Sequence, residues 1–193
     1  QELDEAIAGM FVSGASNAQT SQVVEGLTGT PASSGTVSRV FQTLRSEYES
    51  WRSRELSSHC LYGYADGTYF NVIYNGESCK MPILAIIAIN PKGEKELLGF
   101  TVGDKENQHA WEDLLADLKA RGLTQVDLWI TDGHQAMINA IKRQFPESKR
   151  QRCVVHKMEN VLGYIPNHQQ EAIKPELKAI FYQSSRQEAD IEL

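Results

Sequence analysis

From Leu61 onward the apolar residues follow a fixed order of spacings, and that order limits the available folds more than any other feature of the chain. Leu61 to Tyr74 is rich in Tyr, Phe, Val and Ile, and Asn75-Gly76 behind it supplies a two-residue hairpin turn. Met81 to Ile89 reads as a second strand, apolar enough to be buried on both faces. Asn90-Pro91-Lys92-Gly93 turns the chain into a third strand, Leu97 to Val102. A helix is predicted from about Asn107, with Trp111, Leu114, Leu115 and Leu118 on one face and Gly122 as its stop. Val126 to Thr131 is a fourth strand. Met137, Ile138, Ile141 and Phe145 mark a further helix, closed before Pro146. Arg152 to Val155 reads as a short fifth strand, with a helix starting near His156. An antiparallel meander followed by βαβ units makes a mixed α/β sheet with helices on both faces.

The residues ahead of Leu61 have a different period. Leu3, Ala6, Ile7, Met10 and Phe11 keep helical spacing, and Ser13-Gly14 stops them. Ser16-Asn17-Ala18-Gln19 fits a capping box, with Val23, Val24 and Leu27 as the stripe behind it. Gly29, Pro31 and Gly35 punctuate a loop. Val37, Val40, Phe41, Leu44, Tyr48 and Trp51 then line one face of a long third helix. Beyond Tyr164 the chain is polar and helix-prone, with Pro166 and Pro175 as breaks. At 193 residues the length suits one domain, or one and a small module.

Several classes of function are excluded at this stage. The longest apolar run, Met81 to Ile89, is half of what a membrane span needs and contains Pro82. No charged-then-apolar leader opens the chain, which points away from secretion. Cys60, Cys79 and Cys153 are odd in number and far apart, so a reducing interior fits better than a disulfide framework. The chain opens on Gln1 rather than Met, as a piece of a longer protein would.

Two aspartates stand where chemistry is possible. Asp66 interrupts the first strand among Tyr64, Tyr69 and Phe70, where a lone carboxylate is costly to bury unless paired, hydrogen-bonded or metal-bound. Asp132 closes the fourth strand, in Ile130-Thr131-Asp132-Gly133-His134. With the first and fourth strands as parallel neighbours, the two carboxylates converge at one edge of the sheet. Converging carboxylates suit hard, octahedral Mg²⁺, and two such ions can hold both oxygens of an in-line phosphoryl displacement. Plainer readings stand beside this one: Asp132 as a helix cap, and Asp66-Gly67 as a bulge or turn. Cys153 and His156, three apart, could be half of a zinc site, but no second pair lies at finger spacing, so a buried Cys and a helix-starting His are the alternative.

Taken in order, Asp66-Gly67-Thr68-Tyr69, Leu98-Gly99-Phe100, Gly103-Asp104, Thr131-Asp132-Gly133-His134 and Gln151-Arg152-Cys153-Val154-Val155-His156-Lys157-Met158-Glu159-Asn160 resemble the Mutator-type transposases of bacterial insertion sequences. The strand and helix order is also that of ribonuclease H-like domains. The resemblance implies a DDE transposase whose catalytic domain holds Mg²⁺ or Mn²⁺ with two aspartates and a glutamate. The two aspartates fall on Asp66 and Asp132, and the Cys-x-x-His signature falls on Cys153 and His156 as an architectural motif. The glutamate lies beyond a helical insertion, so none of Glu171, Glu176 and Glu188 takes its role. The implied organisation is a helix-turn-helix-like DNA-binding module over residues 1–56, an incomplete ribonuclease H-like catalytic core over 57–163, and the start of the helical insertion over 164–193. Asn71 and Glu159 stand where family members often carry a basic residue. The implied partners are terminal inverted repeats, target DNA and further copies of the chain, with no membrane, in the bacterial cytoplasm and on the nucleoid when DNA is bound.

Charge bears on the DNA expectation. The chain carries 19 Lys and Arg against 25 Asp and Glu, a net −6, whereas DNA-binding domains tend to be basic. Residues 142–160 reverse the balance, with six basic residues against two acidic, and Arg150 and Arg152 within them are candidates for the DNA path. Residues 1–60 hold four basic and seven acidic residues. On the third helix, Arg39, Gln42 and Arg45 avoid the apolar stripe and are candidates to face a groove. Three functions follow: a metal-dependent transposase or a truncated portion of one, a non-catalytic DNA-binding or dimerising fragment, and a ribonuclease H-like nuclease.

Overall fold

The computed structural model describes residues 2–12, 16–30, 33–74, 77–103 and 106–191. They belong to two compact units, Gln1–Arg54 and Glu55–Leu193.

The first unit holds three helices, α1 (Glu2–Val12), α2 (Asn17–Thr28) and α3 (Ser34–Ser53). The capping box forms as the sequence predicts. The Ser16 hydroxyl accepts the Gln19 N–H at 3.3 Å, and the Ser16 N–H donates to Gln19 Oε1 at 2.8 Å. Gly29 ends α2 in the left-handed region, at φ 74°. The Ser33 hydroxyl accepts the Thr36 N–H at 3.1 Å and starts α3, so Gly35 lies inside the helix and not in the loop before it. Ile7, Val24 and Val40 form a small core, packed by Ala8, Met10 and Leu44. Phe41, expected on the buried stripe, is half-exposed. Ser13-Gly14 and Pro31 lie outside the described residues.

The second unit is built on a five-stranded sheet. Its elements are β1 (His59–Tyr74), β2 (Glu77–Ile89), β3 (Lys95–Val102), α4 (Gln108–Ala120), β4 (Gln125–Thr131), α5 (Gln135–Gln144), β5 (Lys149–Arg152), α6 (Val154–Leu162), α7 (Asn167–Phe181) and α8 (Arg186–Ile191). The strand order is β3-β2-β1-β4-β5. The pairs β1–β2 and β2–β3 are antiparallel, while β1–β4 and β4–β5 are parallel. This is the ribonuclease H-like mixed sheet expected from the order of spacings. Tyr74 stands opposite Glu77, and the two residues between them, Asn75-Gly76, lie outside the described residues.

One face of the sheet carries the core. Ala65, Leu84, Ile86, Ala88 and Trp129 pack against Trp111, Leu114, Leu115 and Leu118 of α4 and Met137, Ala140 and Ile141 of α5. The alternate residues of β2, such as Ile83 and Ile87, are only half-buried, which corrects the expectation of a strand buried on both faces. Both large apolar helix faces are spent on one side, so the other side keeps partial access to water.

Two further corrections concern the C-terminal part. The fifth strand is Lys149–Arg152, and α6 already begins at Val154. All four side chains of β5 are exposed, so the strand exists through its backbone pairing with β4 and has no apolar pattern to announce it. Pro175 does not break the tail but sits within α7. Such a proline removes one backbone donor and crowds the preceding turn, a cost of roughly 3 kcal/mol that the rest of a 15-residue helix absorbs.

Two measurements test this packing. A Cβ on Gly63 would stand 2.7 Å from the fully buried Trp129 ring, which itself packs on Phe145 at a centroid distance of 5.4 Å. Gly63→Ala is therefore expected to lower the stability to urea by about 1–3 kcal/mol through overpacking. A hydrogen bond from Gln108 within α4 at 2.7 Å, and behind it the Arg143 guanidinium of α5 at 3.3 Å, hold the Glu112 carboxyl below its ordinary value of 4.5. The lowered value adds stability that is complete above pH 4.5 and is lost as pH falls through the folded value. Glu112→Gln is expected to flatten the acid limb of stability against pH, read by thermal melts between pH 3 and 6 (roughly the carboxylate range).

Candidate active site

The site is set by strand register. On the parallel pair β1–β4, Ala65 stands opposite Thr131, and Asp66 and Asp132 follow at the next position of each chain. Because side chains alternate across a strand, Asp66 projects from the face opposite buried Ala65, and its side chain is 51% exposed. Thr68, two residues on and on the same face, donates its hydroxyl to Asp66 Oδ2 at 3.3 Å. The β1–β2 register runs without interruption through Asp66 and Gly67, so neither marks a bulge.

Asp132 lies just past the end of β4. Its Oδ1 accepts the His134 N–H at 2.7 Å, a side-chain turn that Gly133 closes at φ 95°. His134 is the residue that caps α5, without a side-chain hydrogen bond, so Asp132 shapes the loop and is not the helix cap. Arg152, from β5, donates Nε–H to the Asp132 carbonyl at 3.2 Å. The second predicted basic residue, Arg150, donates Nη1–H to the Ser148 carbonyl at 3.1 Å.

The Cys-x-x-His motif ties α6 to the same strand ends. The Cys153 N–H donates to the Thr131 carbonyl at 2.6 Å, and the Cys153 carbonyl accepts the Lys157 N–H at 3.0 Å in the first turn of α6. His156, one residue before Lys157, brings Nε2 to 4.0 Å from Asp66 Oδ1, while its Nδ1 is buried without a hydrogen-bond partner. The motif therefore stands beside the first aspartate. Among the described residues no three His, Cys, Asp or Glu side chains gather closely enough to hold a metal by themselves, and the half-zinc reading finds no second pair.

The other predicted site residues are spread more widely. In the first unit Arg39 Nη2 reaches Asp4 Oδ1 at 3.3 Å, and Gln42 and Arg45 are exposed on α3. Asn71 stands opposite Lys80 on β2, and the Lys80 ammonium lies 5.6 Å from the centre of the Tyr69 ring. A cation is thus present on the rung that Asn71 occupies. Glu159 lies with Arg152, Lys157, Asn160 and Tyr164 around a shallow depression of about 450 Å³. Asp104 lies outside the described residues.

Glu106 is the residue that sequence reasoning missed. Its side chain is only 9% exposed, its Oε1 accepts the Trp111 Nε1–H at 3.2 Å, and the His134 Nδ1 stands 3.3 Å from the same oxygen. It reads as a loop carboxylate before the Asn107 cap. The available signal is Trp111: a tryptophan on the buried face of a helix needs an acceptor for its ring N–H, and an acid five residues earlier can supply it.

The Mutator family transposase profile matches residues 1–193. Similar proteins include the transposase of insertion sequence element IS1201 from Lactobacillus helveticus, 30% identical over 185 residues that cover 95% of this chain and 50% of that protein. The transposase of IS256 in transposon Tn4001 from Staphylococcus aureus is 31% identical over 173 residues, covering 89% of this chain and 44% of that protein. The chain spans about half the length of the curated relatives it matches. Among solved structures, the HTLV-2 integrase catalytic core domain in complex with magnesium covers 69% of this chain and 93% of its own, at 12% identity and a TM-score of 0.32, which adds nothing to the topology already described. With the whole of its length matched by one profile and similar proteins that are transposases of insertion sequence elements, the chain belongs to the Mutator family of transposases.

Proposed function

We propose that this chain supplies two of the metal-binding carboxylates of a DDE transposase that cuts and joins insertion-sequence DNA, with Asp66 and Asp132 as the pair. The supporting observation is the β1–β4 register, which pairs Ala65 with Thr131 and so brings the next residue of each chain, Asp66 on β1 and Asp132 just past β4, to the same level of the sheet. The donor set fits the ion. Mg²⁺ takes oxygen ligands, is commonly held by one or two carboxylates, and fills its remaining positions with water and substrate phosphate, so a pair of carboxylates suits it, with no cluster of three such ligands among the described residues. When bound, divalent ions in such a site lower the pKa of a water and neutralise charge on both the attacking and leaving oxygens of a phosphodiester.

The chain's own residues do the rest. Thr68 and the His134 N–H each occupy one carboxylate oxygen, of Asp66 and Asp132 respectively, and so fix the orientation of the other oxygen. Arg152 steadies the Asp132 loop through the backbone, and the exposed basic side chains of β5 form a phosphate-attracting edge beside it. In the first unit Arg39, Gln42 and Arg45 are the proposed contacts to the element's terminal repeats. The third carboxylate implied by the family is assigned to no residue of this chain. Glu171 is paired with Lys174, and Glu188 accepts the Ser184 hydroxyl.

Two experiments decide between outcomes. Mn²⁺ titration of the 193-residue chain is expected to show binding that Asp66→Asn and Asp132→Asn each weaken by about tenfold or more. Asn at 132 keeps an oxygen for the His134 N–H, so lost affinity reports lost charge and not a lost turn. Unchanged affinity in both variants would overturn the assignment. For DNA, binding to terminal repeats and to random duplex is compared over a salt series. Arg152→Gln is expected to reduce the slope of log affinity against log salt by about 1. Equal affinity for both duplexes at matched salt rules out terminal-repeat recognition by this chain.

A further inference from the structure

We infer that Glu106 is a positioning residue of the site: it braces the Asp132 loop against the strand that carries Asp66. The inference rests on the reading of Asp66 and Asp132 as a functional pair.

Four observations carry it. The Glu106 side chain is nine-tenths buried, and a carboxylate is not buried at that level without partners. Its first partner is the indole N–H of Trp111, a residue with no exposed surface, which anchors one carboxylate oxygen to the core of α4 at 3.2 Å. Its second is the His134 ring, at 3.3 Å from the same oxygen, and the His134 N–H is what Asp132 Oδ1 accepts at 2.7 Å. The third neighbour is a space: a Cβ on Gly67 would stand 2.9 Å from the carboxyl carbon and both oxygens of Glu106. Gly67 directly follows Asp66, so only glycine at that position leaves the carboxylate its seat on β1.

These contacts place Glu106 on the opposite side of the sheet from Asp66. Successive side chains of a strand point to opposite faces, and Glu106 occupies the place a side chain of residue 67 would take. It therefore stands behind the face that carries Asp66 and joins the strand of Asp66 to the loop of Asp132 from the core side. A carboxylate that fixes the imidazole two residues beyond Asp132 limits the turn conformations open to Asp132, much as outer partners orient metal ligands elsewhere. Its chemistry is to hold and not to coordinate.

The test uses the 193-residue chain and two readouts. Hydrogen exchange of the His134 amide reports the Asp132 turn with no metal present, and Mn²⁺ titration reports the pair. Glu106→Met removes the acceptor at similar length. Gly67→Ala displaces the same carboxylate without removing it, and keeps the test open where Glu106→Met does not fold. Both are expected to speed exchange of the His134 amide by about threefold or more relative to core amides, and to weaken Mn²⁺ binding by about tenfold. Glu106→Gln, whose side-chain oxygen still accepts a hydrogen bond, is expected to stay within about threefold of the parent on both readouts. A general loss of stability would lower the melting temperature and speed all core amides together, leaving the ratio for His134 where it was. Parent-like His134 exchange in Glu106→Met and in Gly67→Ala would overturn the inference. If His134 exchange rises while Asp66→Asn and Asp132→Asn bind Mn²⁺ as the parent does, the brace stands and the metal reading fails.

Discussion

The parallel pairing of β1 with β4 is the constraint on which the rest of the structure depends. It puts Ala65 beside Thr131 and so brings two acids 66 residues apart in sequence to the same level of the sheet. The end of β4 then serves three elements at once. Its Thr131 carbonyl receives the Cys153 N–H that starts α6, its Asp132 carbonyl receives Arg152 from β5, and its Asp132 side chain shapes the loop into α5. A slip of one residue between the strands would turn Asp66 toward the core face and bury a charge among Leu84, Ile86 and Trp129. The hydrophobic core therefore specifies the site as well as the fold: the residues that must be inside leave Asp66 one face on which to stand.

Much of that frame was legible in the sequence, because it is written in local periods. Trp111, Leu114, Leu115 and Leu118 announce α4 by their spacing, and they are the residues buried against the sheet. The aromatic and β-branched run from Leu61 and the turn residues after Tyr74 identify the hairpin, and Ser16 with Gln19 identifies the start of α2. Legibility ends where structure depends on backbone pairing or on distant partners. The strand β5 is Lys-Arg-Gln-Arg with every side chain exposed, so only its neighbour makes it a strand. The apolar Val154-Val155 beside it drew the expectation three residues downstream, onto the first turn of α6. Pro175 misled in the opposite sense, since a proline weighs against a helix locally but a long helix can carry one.

The site shows the same division. The two aspartates stand out as acids at strand positions, and that is a local signal. Glu106 does not, for in sequence it is one more acid in a polar loop before a capping asparagine. What makes it distinct is the removal of water around it, achieved by Trp111 from its own side and by Gly67 from a strand 39 residues earlier. His156 is similar: the Cys-x-x-His spacing reads as half of a zinc site or as a helix-starting His, whereas the imidazole lies 4.0 Å from Asp66 because α6 starts where β4 ends. Side chains whose role comes from tertiary contacts carry little trace of it in their neighbours along the chain.

The charge distribution bears on the proposed contact of a chain of net −6 with DNA. Exposed lysines and arginines on β5 have a plain structural use, because β5 is the edge of the sheet and like charges keep edges from pairing with other chains. That use needs charge anywhere along the edge. The arrangement is more particular, since Arg152 is bonded to the Asp132 carbonyl and its guanidinium is thereby held at the Asp132 loop. With a screening length of about 8 Å at physiological salt, a phosphate arriving there is governed by these fixed neighbours and hardly by acids elsewhere in the chain. The first unit offers a contrast. Arg39 is already paired with Asp4, both of them well exposed, and an exposed pair of that kind is worth at most about 1 kcal/mol. A phosphate can displace Asp4 at little cost, so the acidic balance of the helices is a weaker barrier to DNA than the residue count suggests.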